Sequence, residues 1–243
     1  MSCRRNRNPL LKIIPEEMLK TFGTAHDEQR RKYMGQAFRA ASGILNKFVD
    51  CVYLSLLWFV CSIPVFTIGA STSALYYAVQ KSIVHERSYA RKEFLYSFKR
   101  NFKQATLLWL GFFVFGTAML FGAYQSYSGA MPQVFLYVYV IIFAVLLMTA
   151  VYAFPYIARF EGGTPQIVKN CLMISVTNLP KTLLSLLLIA AAAVAVWVFF
   201  PLVFLLPALV MCGIESMMEK TFAKYMTEEE KQAEFERNRT WEN

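Results

Sequence analysis

Three long stretches of this 243-residue chain contain no Asp, Glu, Lys or Arg: 51–80, 104–157 and 182–214. Charged residues make up 17% of the chain, against about a quarter in soluble domains. A soluble domain would not gather all its charge outside three such blocks. Each block exceeds the ~20 apolar residues that one membrane-crossing helix needs. The runs are continuously apolar rather than alternating, which argues against a transmembrane barrel. Histidine is nearly missing, with only His26 and His85. No Ser/His/Asp arrangement, HExxH or P-loop occurs, so no catalytic residue and no enzyme is expected. The five cysteines (Cys3, Cys51, Cys61, Cys171, Cys212) include no close pair and no CxxC. That spacing gives neither a disulfide framework nor a metal site, and no cofactor is expected. The first apolar run begins only near residue 44, so no cleavable leader is expected at the start.

What is present is basic charge in an ordered placement. The net charge is +9, with ten Lys and Arg in 1–50, seven in 81–103, three in 158–181 and five in 215–243. Beside membrane spans this is the positive-inside pattern, and the bilayer rather than nucleic acid is the expected partner. If every uncharged block goes out and returns, all the charged segments share the cytoplasmic side. The outer turns are then expected at about 62–68, 126–132 and 199–202, near the Gly and Pro breakers. The expected fold is all-α: a polytopic transmembrane helical bundle of about 5–6 membrane segments arranged as hairpins, with cytoplasmic interfacial helices. It divides into a cytoplasmic N-terminal extension (1–40), a single membrane domain (41–218) and a cytoplasmic charged tail (219–243). For 43–84 and 182–218 the alternative is one crossing plus a re-entrant segment shielded by other helices.

The first block holds a sequence, CSIPVFTIGAS at 61–71, that interrupts an otherwise membrane-spanning helix. Pro64 cannot donate a backbone hydrogen bond and disfavours helix in the residue before it. Gly69 allows close backbone approach. Thr67 and Ser62 can satisfy freed backbone groups locally. Pro64, Thr67 and Gly69 thus read as the structural motif of an outer turn. Lys47, Asp50 and Lys81 then fall near the inner boundary, where long basic side chains snorkel. Asp50 is the one acid expected near membrane depth and reads as a boundary residue that orients its helix.

The charged segments carry further patterns. Leu10, Leu11, Ile14, Met18, Leu19 and Phe22 fall on one face of a helix, either interfacial or covering the protein's own inner surface. Arg91, Lys92, Phe94, Phe98, Lys99, Arg100, Asn101 and Phe102 combine basic and aromatic residues at helical spacing and are candidates for contact with a partner or with lipid. Thr227 and the acids after it read as the start of a short solvated tail helix. SFKRNFKQATLLWL and SVTNLPKTLLSLLL are faintly alike, aligning Asn101 with Asn178 and Lys103 with Lys181, and Pro64 and Pro155 each follow a span. These matches hint at an internal duplication.

The stretches SIPVFTIGASTSALYYAVQKSI (62–83), FLYSFKRNFKQATLLWL (94–110) and KNCLMISVTNLPKTLLSLLL (169–188) resemble the YesL-like family of bacterial integral-membrane proteins, built around a domain of unknown function. The resemblance spans about 40–215, with Pro64, Thr67 and Gly69 as its most specific piece. It implies a bacterial plasma-membrane location and an accessory or regulatory role beside a carbohydrate ABC importer, with permease subunits or ATPase as partners. It supplies no catalytic residues. One spacing bears on that role. ABC importer permeases carry a cytoplasmic loop with Glu, two small residues and, nineteen positions on, Leu-Pro. Glu161, Gly162 and Gly163 stand at that distance from Leu179 and Pro180, although Ile167 replaces the permeases' central Gly. Residues 161–180 are therefore a candidate helix for docking a partner, or an ordinary interfacial helix between spans. Two other readings stand beside the accessory one: a stand-alone small-solute transporter or channel lined by the broken segments, and a membrane scaffold for a signalling partner contacted through 81–103.

Overall fold

The computed structural model describes residues 45–84, 90–129, 132–160, 162–225 and 232. The chain divides into two units, 1–48 and 49–243; of the first, only 45–48, the opening turn of α1, are described. The helix expected around 10–22, the tail helix after Thr227, His85 and Glu161 lie outside the described residues. Among the described residues there is no strand. The helices are α1 (Leu45–Ser62), α2 (Ile68–Ala78), α3 (Ala90–Tyr127), α4 (Val134–Arg159), α5 (Thr164–Thr177), α6 (Leu179–Val198) and α7 (Leu206–Tyr225).

The all-helical bundle expected from the charge pattern is what forms. α1, α3, α4 and α6 are long and apolar enough to cross a membrane. α2 and α7 follow α1 and α6 as second limbs, but neither is long and apolar enough to count as a span, so four candidate spans stand where about 5–6 segments were expected. α2 is an 11-residue helix continued by a 6-residue π-helical turn, Val79–Val84. α7 begins apolar and gathers Glu215, Glu219, Lys220 and Lys224 towards its end. Three antiparallel hairpins result. Trp58 of α1 hydrogen-bonds Thr72 of α2; Gly116 and Gly122 of α3 lie against Phe143 and Tyr139 of α4; Gly213 of α7 lies against Leu188 of α6. The turns fall at Ser62–Thr67, between Tyr127 and Val134, and at Phe199–Leu205. None carries a charge. Gly129 closes α3 with a φ of 81°, a left-handed geometry that favours glycine. The outward faces of α4 and α6 are apolar, as at Val134, Ile141, Leu187 and Trp197, which suits lipid as their solvent.

The break after α1 works because four of the carbonyls around it, those of Val60, Cys61, Pro64 and Val65, find donors. The Val60 carbonyl accepts from Ile63 N–H, and the Pro64 carbonyl from Thr67 N–H at 2.8 Å. The Thr67 hydroxyl lies 2.6 Å from the carbonyls of both Cys61 and Pro64. The indole N–H of Trp109, on α3, donates to the Val65 carbonyl at 2.8 Å. Ser62 does not share this work: its hydroxyl is buried without a hydrogen-bond partner, which corrects the expectation from sequence.

Gly69 brings α2 onto α3. A Cβ built there would stand 2.6 Å from the Trp109 Cβ, 2.7 Å from the Ala105 carbonyl oxygen and 2.8 Å from the Phe154 ring. The first two cannot move without shifting the α3 backbone. One glycine therefore sets the spacing of α2, α3 and α4. The core continues from this contact through Ala70, Tyr76, Ala105, Tyr152, Ile157 and Phe222.

Three further expectations change. α7 runs on past residue 218 to Tyr225 and buries Phe222 completely, so helix and core packing extend into the stretch read as a charged tail. Pro155 lies inside α4 rather than after a span. The two stretches read as a duplication fold differently: 97–110 is unbroken helix in α3, whereas Asn178 separates α5 from α6 with φ −119° and ψ 42°.

Overpacking a tight core costs about 1–3 kcal/mol, and Gly→Ala in a helix returns up to about 1 kcal/mol. Gly69→Ala is expected to lower the thermal unfolding midpoint in detergent. Gly122→Ala should have a smaller effect, because the Tyr139 ring it meets can turn aside. Thr67→Val should cost a further ~1–3 kcal/mol by stranding buried carbonyls, and Thr67→Ser should not. An unchanged midpoint in Gly69→Ala would refute the close-approach account.

Candidate functional site

The hairpins open at one end, and the charge of residues 49–225 collects there. Several of these charges are buried: Lys81, Glu93, Arg159 and Glu215 are each under 8% exposed. A buried charge is costly unless it is paired or hydrogen-bonded. Arg159 is held most clearly. Its guanidinium grips Glu219 in a two-point pair, Nη1 to Oε2 at 2.6 Å and Nη2 to Oε1 at 3.1 Å. Gln80 adds a donor to Glu219 Oε2 at 3.3 Å. The end of α4, the end of the α2 limb and the last turns of α7 are joined at this point. Arg159 also stands in the last turn of α4, where a cation complements the helix dipole. The Lys81 ammonium lies 5.8 Å from the Tyr77 ring centre. Lys81 therefore turns into the bundle rather than snorkelling outward. Glu93 and Glu215 also take part in interactions.

This ionic knot was missed from sequence, where Asp50 was the one acid of note. Asp50 is only partly buried on α1. The readable signal was the Glu215/Glu219 pair, four apart on a helix leaving an uncharged run, with Arg159 at the end of another such run.

The basic and aromatic candidates separate into two groups. Arg91, Lys92, Lys99 and Arg100 are exposed on the first turns of α3. Phe94 is fully buried, and Asn101 is buried with its amide donating to Ser97 Oγ at 3.2 Å. These two are core residues, which corrects their reading as contact residues. Phe98 and Phe102 are partly buried and stack edge to face at 5.4 Å against the core. Most of what reads as a loop is the start of α3.

The candidate docking segment resolves into α5, which is shorter than expected. It starts at Thr164, just after Gly163, and ends at Thr177; Leu179 and Pro180 belong instead to the first turn of α6, where proline is tolerated. The Gly162 carbonyl accepts from Gln104 of α3 at 2.6 Å. A Cβ at Gly162 or Gly163 would meet nothing closer than 3.8 Å, so packing does not demand glycine at either. α5 buries Ile167, Cys171 and Ile174. Its other side shows Leu172, Met173 and Val176 to the exterior, and Leu179 extends that stripe.

Residues 51–123 match the family model described as "Protein of unknown function, DUF624". DUF624 is the YesL-like bacterial membrane family, in agreement with the resemblance carried by the Pro64, Thr67 and Gly69 motif. The matched stretch runs from α1 to near the end of α3 and so contains the break, the Gly69 contact and Trp109. No curated protein and no solved structure matches the chain.

Among the described residues no three of His, Cys, Asp or Glu converge as metal ligands. The fold does bring together two cysteines that are far apart in sequence: Cys51 on α1 and Cys212 on α7, both free thiols, share one hydrophobic cluster. Cys171 is fully buried on α5, and desolvation pushes its thiol up to about 12. The Tyr225 hydroxyl is lowered by its hydrogen bonds to Thr177 and Asn178.

Because the folded Cys171 pKa lies above the ordinary thiol value, the fold favours the neutral thiol. That stabilisation is complete below the ordinary thiol range and is lost as pH rises towards about 12. At pH 8 Cys171 should resist maleimide in the folded protein and react on denaturation, while a cysteine at exposed position 173 (Met173→Cys) should react readily. Equal rates at the two positions would contradict the packing of α5.

Proposed function

We propose that this protein is a non-catalytic integral-membrane subunit that assembles with, or regulates, a carbohydrate ABC importer in a bacterial plasma membrane, with both termini in the cytoplasm. The observation that carries the reading is α5. A helix lying between two spans needs one apolar face to pack on its own bundle. α5 has that face and a second apolar stripe pointing away, with Leu172, Met173 and Val176 (63% exposed at Met173) and basic Lys169 beside it. An amphipathic helix joining two spans at the charged end is the kind of element through which a membrane subunit meets a partner ATPase. The family resemblance names the class of partner.

The transporter or channel reading is weaker on a specific observation. The broken segment before α7 does border a cleft of about 440 Å³, but the break after α1 does not line it, and its walls are Leu75, Ala193, Val196, Val203, Pro207 and similar side chains. Thr72, its main polar group, donates its hydroxyl to the Ile68 carbonyl and accepts from Trp58. Such walls offer a polar solute little in exchange for its hydration.

The tagged protein, extracted in mild detergent, should bring importer permease or ATPase subunits with it. Met173→Glu with Val176→Glu should abolish that recovery while the protein still inserts and stays monodisperse. Recovery of the protein without importer subunits, or an unchanged yield of subunits with the double variant, would refute the accessory role. Solute uptake by proteoliposomes of the protein alone would favour the transporter reading.

A further inference from the structure

A polar corner where α5, α6 and α7 meet has no role in the account above. Thr177 ends α5, Asn178 separates it from α6, and Lys181 stands in the first turn of α6. The last turns of α7 close the corner. The Tyr225 hydroxyl lies 3.0 Å from Thr177 Oγ1 and accepts from Asn178 Nδ2 at 3.4 Å. Lys181 Nζ donates to Thr221 Oγ1 at 2.8 Å. Lys224 Nζ lies 5.9 Å from the centre of the Tyr225 ring.

The electrostatics of the corner favour an anion. α5 and α6 contain no acid. On α7, Glu219 is engaged by Arg159, and Glu215 is buried in the bundle. An ammonium has three donors, so Lys181 keeps two after its bond to Thr221. The N-terminal end of α6, a 20-residue helix, is met here by the C-terminal ends of α5 and α7, so the positive potential rests on Lys181 and Lys224. The corner also adjoins apolar surface. A cleft of about 150 Å³ opens beside it, lined by Tyr156, Phe160, Met173 and Phe222 and sharing Tyr225. Within that cleft Asn170 Nδ2 donates to the Tyr156 hydroxyl at 3.0 Å. Cations and hydroxyls next to an aromatic, apolar wall at the end of a membrane helix match a phosphate joined to a hydrophobic body.

We propose that Lys181 and Lys224, beside the exposed Tyr225 ring, hold a phosphate oxyanion at the start of α6, supplied either by an anionic phospholipid or by a free phosphate compound. Lys181 gives direct charge-assisted hydrogen bonds, which discriminate phosphate from neutral headgroups. Lys224 raises the local positive potential. The reading does not depend on the importer partnership and can be tested on the isolated protein, although Met173 lines the adjoining cleft as well as the outward stripe of α5.

The test uses the full-length protein in detergent and follows its thermal unfolding midpoint during titration at constant ionic strength. The additives are phosphatidylglycerol, phosphatidylcholine and inorganic phosphate. The midpoint is expected to rise with phosphatidylglycerol or inorganic phosphate but not with phosphatidylcholine. A rise with phosphatidylglycerol alone identifies a lipid site, and a rise with inorganic phosphate identifies a free phosphate ligand. Lys181→Gln should weaken the apparent affinity about tenfold, the effect of losing one charge-assisted bond, and Lys181→Arg should restore it. Should Lys181→Gln fail to fold for want of its Thr221 bond, Lys224→Gln is the second variant and should weaken the affinity in the same direction. Lys103→Gln, an exposed cation on α3, should leave it unchanged. The proposal fails if neither anion raises the midpoint, if neither Lys181→Gln nor Lys224→Gln weakens binding, or if Lys103→Gln weakens it as much as they do, which would mean diffuse attraction to the whole basic end.

Discussion

A chain that turns back inside a membrane must satisfy its own backbone, because lipid offers no hydrogen bonds. In this protein that constraint is met at one place, between Ser62 and Ile68. The Thr67 hydroxyl and the Trp109 indole reach the carbonyls that Pro64 leaves exposed. The same Trp109 presents its Cβ to the space where Gly69 has none. Closing the break and docking α2 on α3 are therefore one event, and each supports the other. If Gly69 were larger, α3 would stand off and Trp109 could not reach Val65. If Thr67 lacked its hydroxyl, the turn that aims α2 would lose its internal bonds.

The rest of the bundle is arranged around this contact. α4 joins it through Phe154, which meets both the Gly69 site and the Trp109 ring, 6.2 Å from it. Five residues further along α4, at its end, the apolar logic gives way to ionic logic. The Arg159, Glu219 and Gln80 knot ties α4, α7 and the α2 limb where the hairpins open. Breaking a buried pair by removing one partner leaves a stranded charge, which is why such knots fix geometry even when their net contribution to stability is small. Between the two, α5 and the polar corner beside it hold the features that packing alone does not require. An outward apolar stripe on α5 and two lysines beside an exposed tyrosine add nothing to the core.

Much of this was legible from residue order. Three uncharged blocks flanked by basic segments dictated hairpins, and the turns fell where Pro, Gly and Ser interrupted the apolar runs. The Pro64, Thr67 and Gly69 motif disclosed a turn with a close approach. What it could not disclose was the donor that completes it, because Trp109 is forty residues away and looks like any lipid-facing aromatic. The ionic knot was hidden for the same reason: charges next to a span read as solvated until the fold places Arg159 against Glu219. Phe94 and Asn101 misled in the opposite direction. Their basic neighbours suggested a surface, but helical periodicity sends every third or fourth residue inward, and these two point into the core. α3 runs 38 residues without a break across the change from charged to uncharged sequence after Lys103, so charge marks a boundary there that the helix does not.

The central claim is that Thr67 and Trp109 close the break at 62–67 within the bundle, about 27 Å along α3 from the turn after Tyr127, and that the ionic ends lie away from that turn. Site-directed cysteine labelling of intact cells tests it directly, in a background freed of native cysteines. Ser128→Cys, at the second turn, should react readily with a membrane-impermeant maleimide added outside, Ile63→Cys should react much more slowly, and Lys99→Cys should react only after permeabilisation. Labelling of Lys99→Cys in intact cells, or labelling of Ile63→Cys as fast as Ser128→Cys, would contradict the account.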